Sequence, residues 1–222
     1  MNRTPAASCS VRQRRWRELP NKFFASTYDP LISGLERAGL RERRQGLLRE
    51  LSGDILEIGA GTGLNLPHYE RAARLVLLEP DRHMRERLQR RLDQASAPTT
   101  VVAAVAEQLP FPDSSFDAVV ATLVFCSLED PGRALTEIHR VLKPDGKLVL
   151  IEHVRASGAR GKLQDALSSI HARLGAGCRP NRRTADLVRA ASFDLDEQPF
   201  VMRGNLDPLT RNGLQGTARK RA

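Results

Sequence analysis

The sequence predicts an α/β protein with a doubly wound, mostly parallel, seven-stranded Rossmann-like sheet and helices on both faces. Apolar segments of strand length alternate with helix-like segments along most of the chain. The apolar segments are nearly continuous, which is typical of strands buried on both faces, as in parallel sheets covered by helices. Right-handed crossover connections then give a doubly wound order. A glycine-rich turn after the first strand places a ligand site at the carboxyl edge of the sheet.

The predicted elements follow in chain order. Residues 1–20 are basic, contain proline and predict a flexible lead-in to a single domain over 21–218, and the leucine spacing of 21–51 predicts a helical cap. Strands are predicted at 54–58, 74–79, 99–105, 116–125, 147–154, 193–203 and 213–218. Helices are predicted to begin in 64–71 and to cover 81–95, 130–142, 162–175 and 184–192.

Chain length, cysteine content and the length of the apolar runs limit the class of protein. At 222 residues the chain fits one domain, whose core needs no metal or disulfide for stability. The three cysteines form no Cys-x-x-Cys pair, so neither a disulfide framework nor a metal site is expected. This cysteine usage predicts a reducing, cytoplasmic location. The longest apolar run, 118–126, is well short of the ~20 residues that span a bilayer. We therefore expect a soluble protein.

The net charge of +9 raises the question of an anionic partner. Arginines are spread along the chain, and the clusters at 41–44 and 82–91 fall on helix-like stretches, where charge commonly marks a solvated face. We expect no specific nucleic-acid partner. Peripheral contact with an anionic membrane surface stays open, and the oligomeric state has no signal in the sequence.

The stretch GDILEIGAGTGLNLPHY, at 53–69, carries the strongest local signal. Dinucleotide-binding turns use Gly-x-Gly-x-x-Gly, but here Gly59, Gly61 and Gly63 alternate with other residues. The acidic Glu57, two residues before this turn, would repel a pyrophosphate and suits a cationic ligand. A nicotinamide cofactor is therefore a poor fit, and a ligand with an ammonium or sulfonium group is favoured.

A second acid, Glu79, ends the second strand twenty residues beyond Gly59. A carboxylate there can accept hydrogen bonds from both hydroxyls of a ribose, each worth roughly 1.5–3 kcal/mol. The alternative is an acid at the N-terminus of the next helix, but Asp81 already occupies the capping position. Ribose binding is the favoured interpretation.

Three segments together resemble the class I S-adenosylmethionine-dependent methyltransferases. LEIGAGTG (56–63) resembles the glycine motif of that family, LLEP (77–80) its ribose motif, and 106–154 the block that follows. The resemblance covers about 28–203 and is closest to thiol methyltransferases, bacterial phospholipid N-methyltransferases and ubiquinone or menaquinone C-methyltransferases. It implies S-adenosylmethionine as cofactor, S-adenosylhomocysteine as product, and a small-molecule or lipophilic acceptor.

The resemblance also assigns cofactor-binding positions. Many members carry aspartate where this chain has Val105, so one adenine contact is missing here. Tyr28 resembles the aromatic residue that closes over the cofactor in related enzymes, and the alternative is that it only packs the first helix. The implied set surrounds the methionine, ribose and adenine parts and comprises Tyr28, Glu57, Gly59, Ala60, Gly61, Thr62, Gly63, Asn65, Glu79, Pro80, Met84, Ala106, Glu107, Thr122 and Leu123.

Methyl transfer from a sulfonium is an in-line displacement that depends mainly on positioning. If the acceptor must lose a proton, His153 at the end of the fifth strand is the candidate base, with a structural hydrogen bond to a loop as its alternative. Glu152 alternates to the other strand face and is the weaker candidate.

Substrate contacts are hypothesised near the ends of the fourth and fifth strands. Cys126 is interpreted as a pocket wall, because the Pro-Cys pair of cytosine methyltransferases is absent. The hypothesised contacts are Phe125, Cys126, Cys178 and Arg182. No metal is expected, because the other histidines lack metal-ligand spacing, namely His68, His83, His139 and His171.

Two other classes of function stay open. The charge would suit a methyltransferase acting on RNA or DNA, but the fourth strand ends in TLVF and aromatic residues, at 5%, are too sparse for stacking platforms. A non-catalytic protein that binds S-adenosylmethionine would share the same motifs.

Overall fold

The computed structural model describes residues 22–204 and 207–221, so the lead-in predicted for 1–20 lies outside the described residues. The strands are β1 (Ser52–Ile58), β2 (Arg71–Leu78), β3 (Thr99–Val102), β4 (Phe116–Thr122), β5 (Leu142–His153), β6 (Phe193–Val201) and β7 (Asn212–Lys220). They form one sheet in the order β3-β2-β1-β4-β5-β7-β6. Strand β7 runs antiparallel to both of its neighbours, and the other neighbouring pairs are parallel. The predicted seven-stranded, mostly parallel sheet is confirmed.

The α-helices of the described residues are α1 (Lys22–Leu35), α2 (Arg41–Leu48), α3 (Arg82–Gln89), α4 (Pro131–Val141), α5 (Gly158–Leu174) and α6 (Thr184–Ala190). Each face of the sheet has its own hydrophobic core. Leu135 of α4 is buried on one face, while Leu48 of α2 and Leu88 of α3 are buried on the other. The consecutive residues Val119 and Val120 of β4 lie in different cores, because successive side chains of a strand point to opposite faces.

The segment after the glycine turn corrects one sequence-based prediction. A helix was expected to begin within 64–71, but the structure has only the 3₁₀ turn Leu66–His68, and β2 begins at Arg71. Tyr69 leaves the helical region, with φ −91° and ψ 61°, and its ring is buried. The Tyr69 hydroxyl donates to Glu57 Oε2 at 2.7 Å. An inward-facing, hydrogen-bonded tyrosine thus ends the turn where helical periodicity would have continued.

Element ends differ elsewhere by a few residues. Strand β5 begins at Leu142 and not at 147, because residues 143–146 form an irregular part of the strand. The pairing with β4 shifts there, from Phe116 opposite Leu142 to Ala118 opposite Lys147.

Residues 22–48 form α1, a kinked turn (Glu36–Leu40) and α2, which together are called the cap below. Gly39 makes the kink with φ 117°, a conformation that favours glycine. Ile32 and Leu40 of the cap pack with Ile151 of β5. The cap therefore covers the carboxyl end of the central strands, where a ligand site of this sheet would lie.

Candidate active site

The glycine turn is shaped by positive φ angles and by close packing. Gly59, Gly61 and Gly63 have φ of 60°, 57° and 87°. A Cβ atom on Gly59 would lie 2.6 Å from the side chain of Val124, whereas the nearest atom to a Cβ on Gly61 is 3.9 Å away. Packing against Val124, in the turn after β4, therefore requires glycine at position 59, while the space beside Gly61 is open.

Replacing Gly59 with alanine should lower the free energy of unfolding by about 2 kcal/mol or more, because a left-handed backbone costs roughly 1–2 kcal/mol for an L-residue and overpacking adds to it. Urea unfolding of the two proteins measures this difference. Gly46→Ala is the matched control: nothing lies within 4 Å of a Cβ there and the position is helical, so it should be neutral or stabilising. Equal midpoints for Gly59→Ala and the unaltered chain would contradict the packing argument.

Glu79 lies buried at the end of β2, as the ribose interpretation requires. Its Oε2 accepts the N–H of Gly61 at 2.8 Å, and its Oε1 accepts the N–H of Asp81 at 2.8 Å. Asp81 itself caps α3 by accepting the N–H of Met84. Burial raises the pKa of Glu79, although both backbone hydrogen bonds oppose this effect. Glu79 thus links β2 to the glycine turn and keeps lone pairs for a ligand.

Glu57, at the end of β1, is the centre of a buried polar network. Its Oε1 accepts the side-chain N–H of Asn65 at 2.9 Å, and Oε2 accepts the hydroxyl of Tyr69. The Oδ1 atom of Asn65 accepts a hydrogen bond from Arg44 at 2.7 Å. Burial raises the pKa of Glu57 to about 7, against the hydrogen bonds from Tyr69 and Asn65 and the charge of Arg44. A cation beside this group would favour its ionised form and lower the pKa.

Arg44 is a candidate site residue that the sequence analysis missed. It was included in a cluster taken as a solvated face, but only 3% of its surface is exposed. Its Nε donates to Glu36 at 3.0 Å as well. The burial of Arg44 could have been predicted from its spacing. It lies four residues from both Leu40 and Leu48, which are buried, and therefore on the same helix face as these leucines.

A polar latch holds α1 over the glycine turn. The Oδ1 atom of Asp29 accepts the hydroxyl of Thr62 at 2.6 Å, and Oδ2 pairs with Arg91 at 2.5 Å. The neighbouring Tyr28 packs against the apolar cluster around Ile151. Burial raises the pKa of Tyr28 to about 12, so its hydroxyl stays protonated. Tyr28 is thereby placed on the cap, where an aromatic residue could close over a cofactor.

Strand β4 ends three residues earlier than predicted because Leu123 adopts φ 58°. This left-handed conformation costs about 1–3 kcal/mol for a residue other than glycine and is commonly found at functional sites. The Leu123 N–H still donates to the carbonyl of Ile151 at 2.8 Å. The hydroxyl of Thr122 accepts from Asn65 at 3.1 Å, which joins the end of β4 to the Glu57 network.

The turn after β4 is braced from inside by Glu152. Its Oε1 accepts the N–H groups of Val124 and Phe125 at 2.7 and 2.9 Å. Burial raises the pKa of Glu152 to about 7. Phe125, a hypothesised substrate contact, is fully buried in the larger core. Arg182, another, donates from Nη2 to the carbonyl of Leu128 at 2.6 Å and so braces the same turn.

Two cysteines and one histidine meet at the end of β4 and β5. Cys126 and His153 are buried, Cys178 is partly exposed, and their sulfur and nitrogen atoms all lie within 4.8 Å of one another. The Cys178 Sγ is 3.2 Å from His153 Nε2. The Cys126 thiol lowers the pKa of Cys178 to about 5, helped by the His153 imidazole and opposed by burial. All three residues were predicted near the acceptor, but no metal site was predicted, because they are far apart along the chain.

The loop that carries Cys178 is fixed by hydrogen bonds. His171 of α5 bonds through Nδ1 to the carbonyl of Cys178 at 2.9 Å and through Nε2 to Asp207 at 2.7 Å. Both partners are acceptors, so both ring nitrogens carry protons; burial lowers the pKa of His171, but these hydrogen bonds raise it on balance. The Arg179 N–H donates to the carbonyl of Cys126 at 2.8 Å. The two cysteine-bearing loops are therefore joined beside the cluster.

The predicted adenine contacts lie near the ends of β2 and β3. Met84 and Ala106 are buried, and Pro80 is exposed. Glu107 is buried, and its Oε1 accepts the N–H of Glu129 at 3.1 Å. The other oxygen, Oε2, has no hydrogen-bond partner within the described part of the chain. A buried, unpartnered acceptor could receive an amino group of a ligand.

Comparison with known proteins identifies the family. Residues 56–150 match the family model described as a methyltransferase domain. Thiol S-methyltransferase TMT1B of Rattus norvegicus is 30% identical over 196 residues, which cover 79% of this chain and 80% of that protein. Phosphatidylethanolamine N-methyltransferase of Cereibacter sphaeroides is 29% identical over 138 residues, or 61% of this chain and 68% of that protein. The chain belongs to the S-adenosylmethionine-dependent methyltransferase family.

Solved structures share the fold. A methyltransferase of Thermotoga maritima superposes with a TM-score of 0.64 at 24% identity, covering 89% of this chain and 97% of that chain. The cyclase SpnF superposes with a TM-score of 0.64 at 20% identity, covering 91% and 96%. Because a cyclase shares it, this fold does not by itself define the reaction. The domain match and the relatives confirm the predicted methyltransferase activity, and the family and fold imply S-adenosylmethionine as its cofactor.

A membrane-spanning helix is not found among 22–204 and 207–221, since none of the helices there combines the required length and apolar composition.

Proposed function

We propose that this enzyme methylates a small lipophilic thiol. The observation that carries the proposal is the composition of the site at the ends of β4 and β5, where Cys126 and His153 are buried and Cys178 is close to both. A neutral thiol enters such a site at small desolvation cost, whereas an ammonium or phosphate group would lose much hydration. The relatives named as thiol S-methyltransferases support the same choice.

The residues of the described site suit S-adenosylmethionine. Glu57 offers a buried carboxyl to the ammonium group, and Arg44 offers a buried guanidinium to the carboxylate of the same methionine part. Glu79 receives the ribose hydroxyls in this proposal, and Glu107 Oε2 receives the adenine amino group. The open side of Gly61 leaves room for the chain between them.

When bound, S-adenosylmethionine supplies an activated methyl group. The protein orients the acceptor and excludes water, which can contribute ~7–11 kcal/mol to lowering the barrier. The cap provides the exclusion, since α1 is latched to the glycine turn through Asp29. A thiol with a pKa near 8.5 is a few per cent ionised at neutral pH and needs only modest activation. His153 is the residue that we assign to that activation.

A phospholipid amine is the second candidate acceptor. Three large apolar side chains on one face of α5, Leu163, Ile170 and Leu174, are 51%, 57% and 83% exposed. Their spacing of seven and four residues places them on one stripe, which could rest on a membrane surface. The phosphatidylethanolamine N-methyltransferase relative supports this alternative. A cytoplasmic location stays a prediction, and one relative is named as mitochondrial.

A labelled-methyl assay against thiols, phosphatidylethanolamine vesicles, quinones and RNA tests the acceptor class. We expect transfer to thiols, at a rate that depends only weakly on pH near neutrality. His153→Asn should lower this rate several-fold and make it rise by about tenfold per pH unit below the thiol pKa, because only the thiolate then reacts.

His139→Asn is the matched control for that substitution. His139 lies in α4 and makes an edge-to-face contact with Phe193 of β6, so its replacement should leave the rate and its pH profile unchanged. Transfer to phosphatidylethanolamine with none to thiols would replace the proposal with its alternative. A pH profile of His153→Asn that matches the unaltered enzyme would remove His153 from the chemistry.

A further inference from the structure

We propose that Cys126, His153 and Cys178 form a binding site for a thiophilic divalent cation, with Zn²⁺ as its probe and one coordination position left for the acceptor thiol. Two thiolates and an imidazole are the ligands that zinc prefers. They come from the turn after β4, the end of β5 and the loop between α5 and α6. Cation binding by these three residues does not depend on the proposed function. The coordination of the acceptor thiol as a fourth ligand rests on the proposed function.

The distances fit a tetrahedral cation with small adjustments. Zinc–sulfur bonds of about 2.3 Å and zinc–nitrogen bonds of about 2.0–2.1 Å place the ligand atoms roughly 3.6–3.8 Å apart. The Cys178 Sγ to His153 Nε2 distance is 3.2 Å, and no pair in the cluster exceeds 4.8 Å. Side-chain shifts of about 1 Å or less would therefore bring all three atoms to bonding distance.

The surroundings hold the ligands in place, as the supporting residues of metal sites do. His171 fixes the backbone of Cys178, and the N–H of Arg179 fixes the backbone of Cys126. His153 is in β5, between β4 and β7 of the sheet, and its position is set by strand pairing. The cluster is thus supported from the sheet and from both loops.

Three protein ligands define a site of the open, catalytic type, whereas structural zinc sites use four. No fourth His, Cys, Asp or Glu joins the cluster in the described residues. The Cys126 thiol contacts the carbonyl of Leu123, at 3.7 Å, so the cluster adjoins the strand end where the methyl group would be delivered. With a cation bound, His153 would be a ligand and not a base, and a thiol at the open position would lose its proton to the buffer as its sulfur bonds to the cation.

Cobalt titration of the reduced full-length chain, in a Cys9→Ser background and without S-adenosylmethionine, tests the site. We expect one Co²⁺ per chain, with the charge-transfer absorption of two thiolates, and displacement of Co²⁺ by Zn²⁺. Adding benzyl mercaptan should increase the intensity of that absorption from the value for two thiolate ligands to the value for three. Zn²⁺ should also raise the melting temperature.

Cys178→Ser and His153→Asn should each weaken Zn²⁺ binding by about 100-fold or more, and His139→Asn should leave it unchanged. Cys178 is partly exposed, so its substitution tests the site even if a change at the buried Cys126 impairs folding. Absence of the thiolate absorption or equal Zn²⁺ affinity in the Cys178→Ser variant would overturn the cation site, and no response to benzyl mercaptan would overturn the acceptor thiol as its fourth ligand. None of these readouts involves methyl transfer, so failure here leaves the proposed thiol methylation intact.

Discussion

Replacing Glu79 with alanine should raise the dissociation constant for S-adenosylhomocysteine by about ten- to a hundredfold, or about 1.4–2.7 kcal/mol. Two charge-assisted hydrogen bonds to the ribose hydroxyls would be lost, each worth roughly 1.5–3 kcal/mol before water replaces part of them. Glu79 is buried at the end of β2, and its oxygens already accept the N–H groups of Gly61 and Asp81. Calorimetric titration measures the change.

The hydrogen bond to Gly61 means that Glu79→Ala could also act by loosening the glycine turn. A double-mutant cycle with 2′-deoxy-S-adenosylhomocysteine separates the two effects. The unaltered enzyme should lose affinity when the hydroxyl is removed, and Glu79→Ala should lose none. Glu86→Ala, which removes an exposed acid on α3, is the charge-matched control and should bind normally. An undiminished penalty for the deoxy ligand in Glu79→Ala would show that Glu79 does not contact the ribose.

The fold was predictable because its signal is local. Nearly continuous apolar runs such as AVVA in β4 are typical of strands buried on both faces, and each strand was located within about five residues. The wrong helix after the glycine turn has a different origin. Tyr69 turns inward to reach Glu57, which lies on β1, so tertiary contact overrode the local pattern.

The candidate site also contains residues that local sequence predicts and residues that it does not. The glycine turn and the two acids lie close together in sequence, and their spacing indicates a cationic cofactor. Arg44 was missed because an arginine cluster usually marks a solvated surface, although its spacing from Leu40 and Leu48 placed it inward. Cys126 and Cys178 were both predicted near the acceptor, but their close approach to each other and to His153 depends on the path of the chain between α5 and α6, and no local pattern encodes that path.

Affinity for S-adenosylmethionine should rise about thirtyfold between pH 5.5 and pH 7.5, because Glu57 must lose its proton to bind the ammonium group. In the free protein, burial raises the pKa of Glu57 to about 7, with Glu79 adding to the shift and Tyr69, Asn65 and Arg44 opposing it. A bound ammonium group favours the carboxylate and lowers that pKa. The free protein therefore holds more protons than the complex in this window, and raising the pH shifts the equilibrium toward the complex.

The same linkage predicts the opposite trend for the free protein. A carboxyl whose pKa is raised on folding stabilises the fold below its unfolded pKa, and this contribution is lost as the pH rises through about 7. The gain in melting temperature on adding S-adenosylmethionine should thus be larger at pH 7.5 than at pH 5.5. Glu57→Gln keeps the shape of the side chain but does not titrate, so its affinity should be low and much less dependent on pH. If Glu57→Gln retains the full pH dependence, another group, such as the buried Glu79, governs cofactor binding, and the ammonium role of Glu57 is lost.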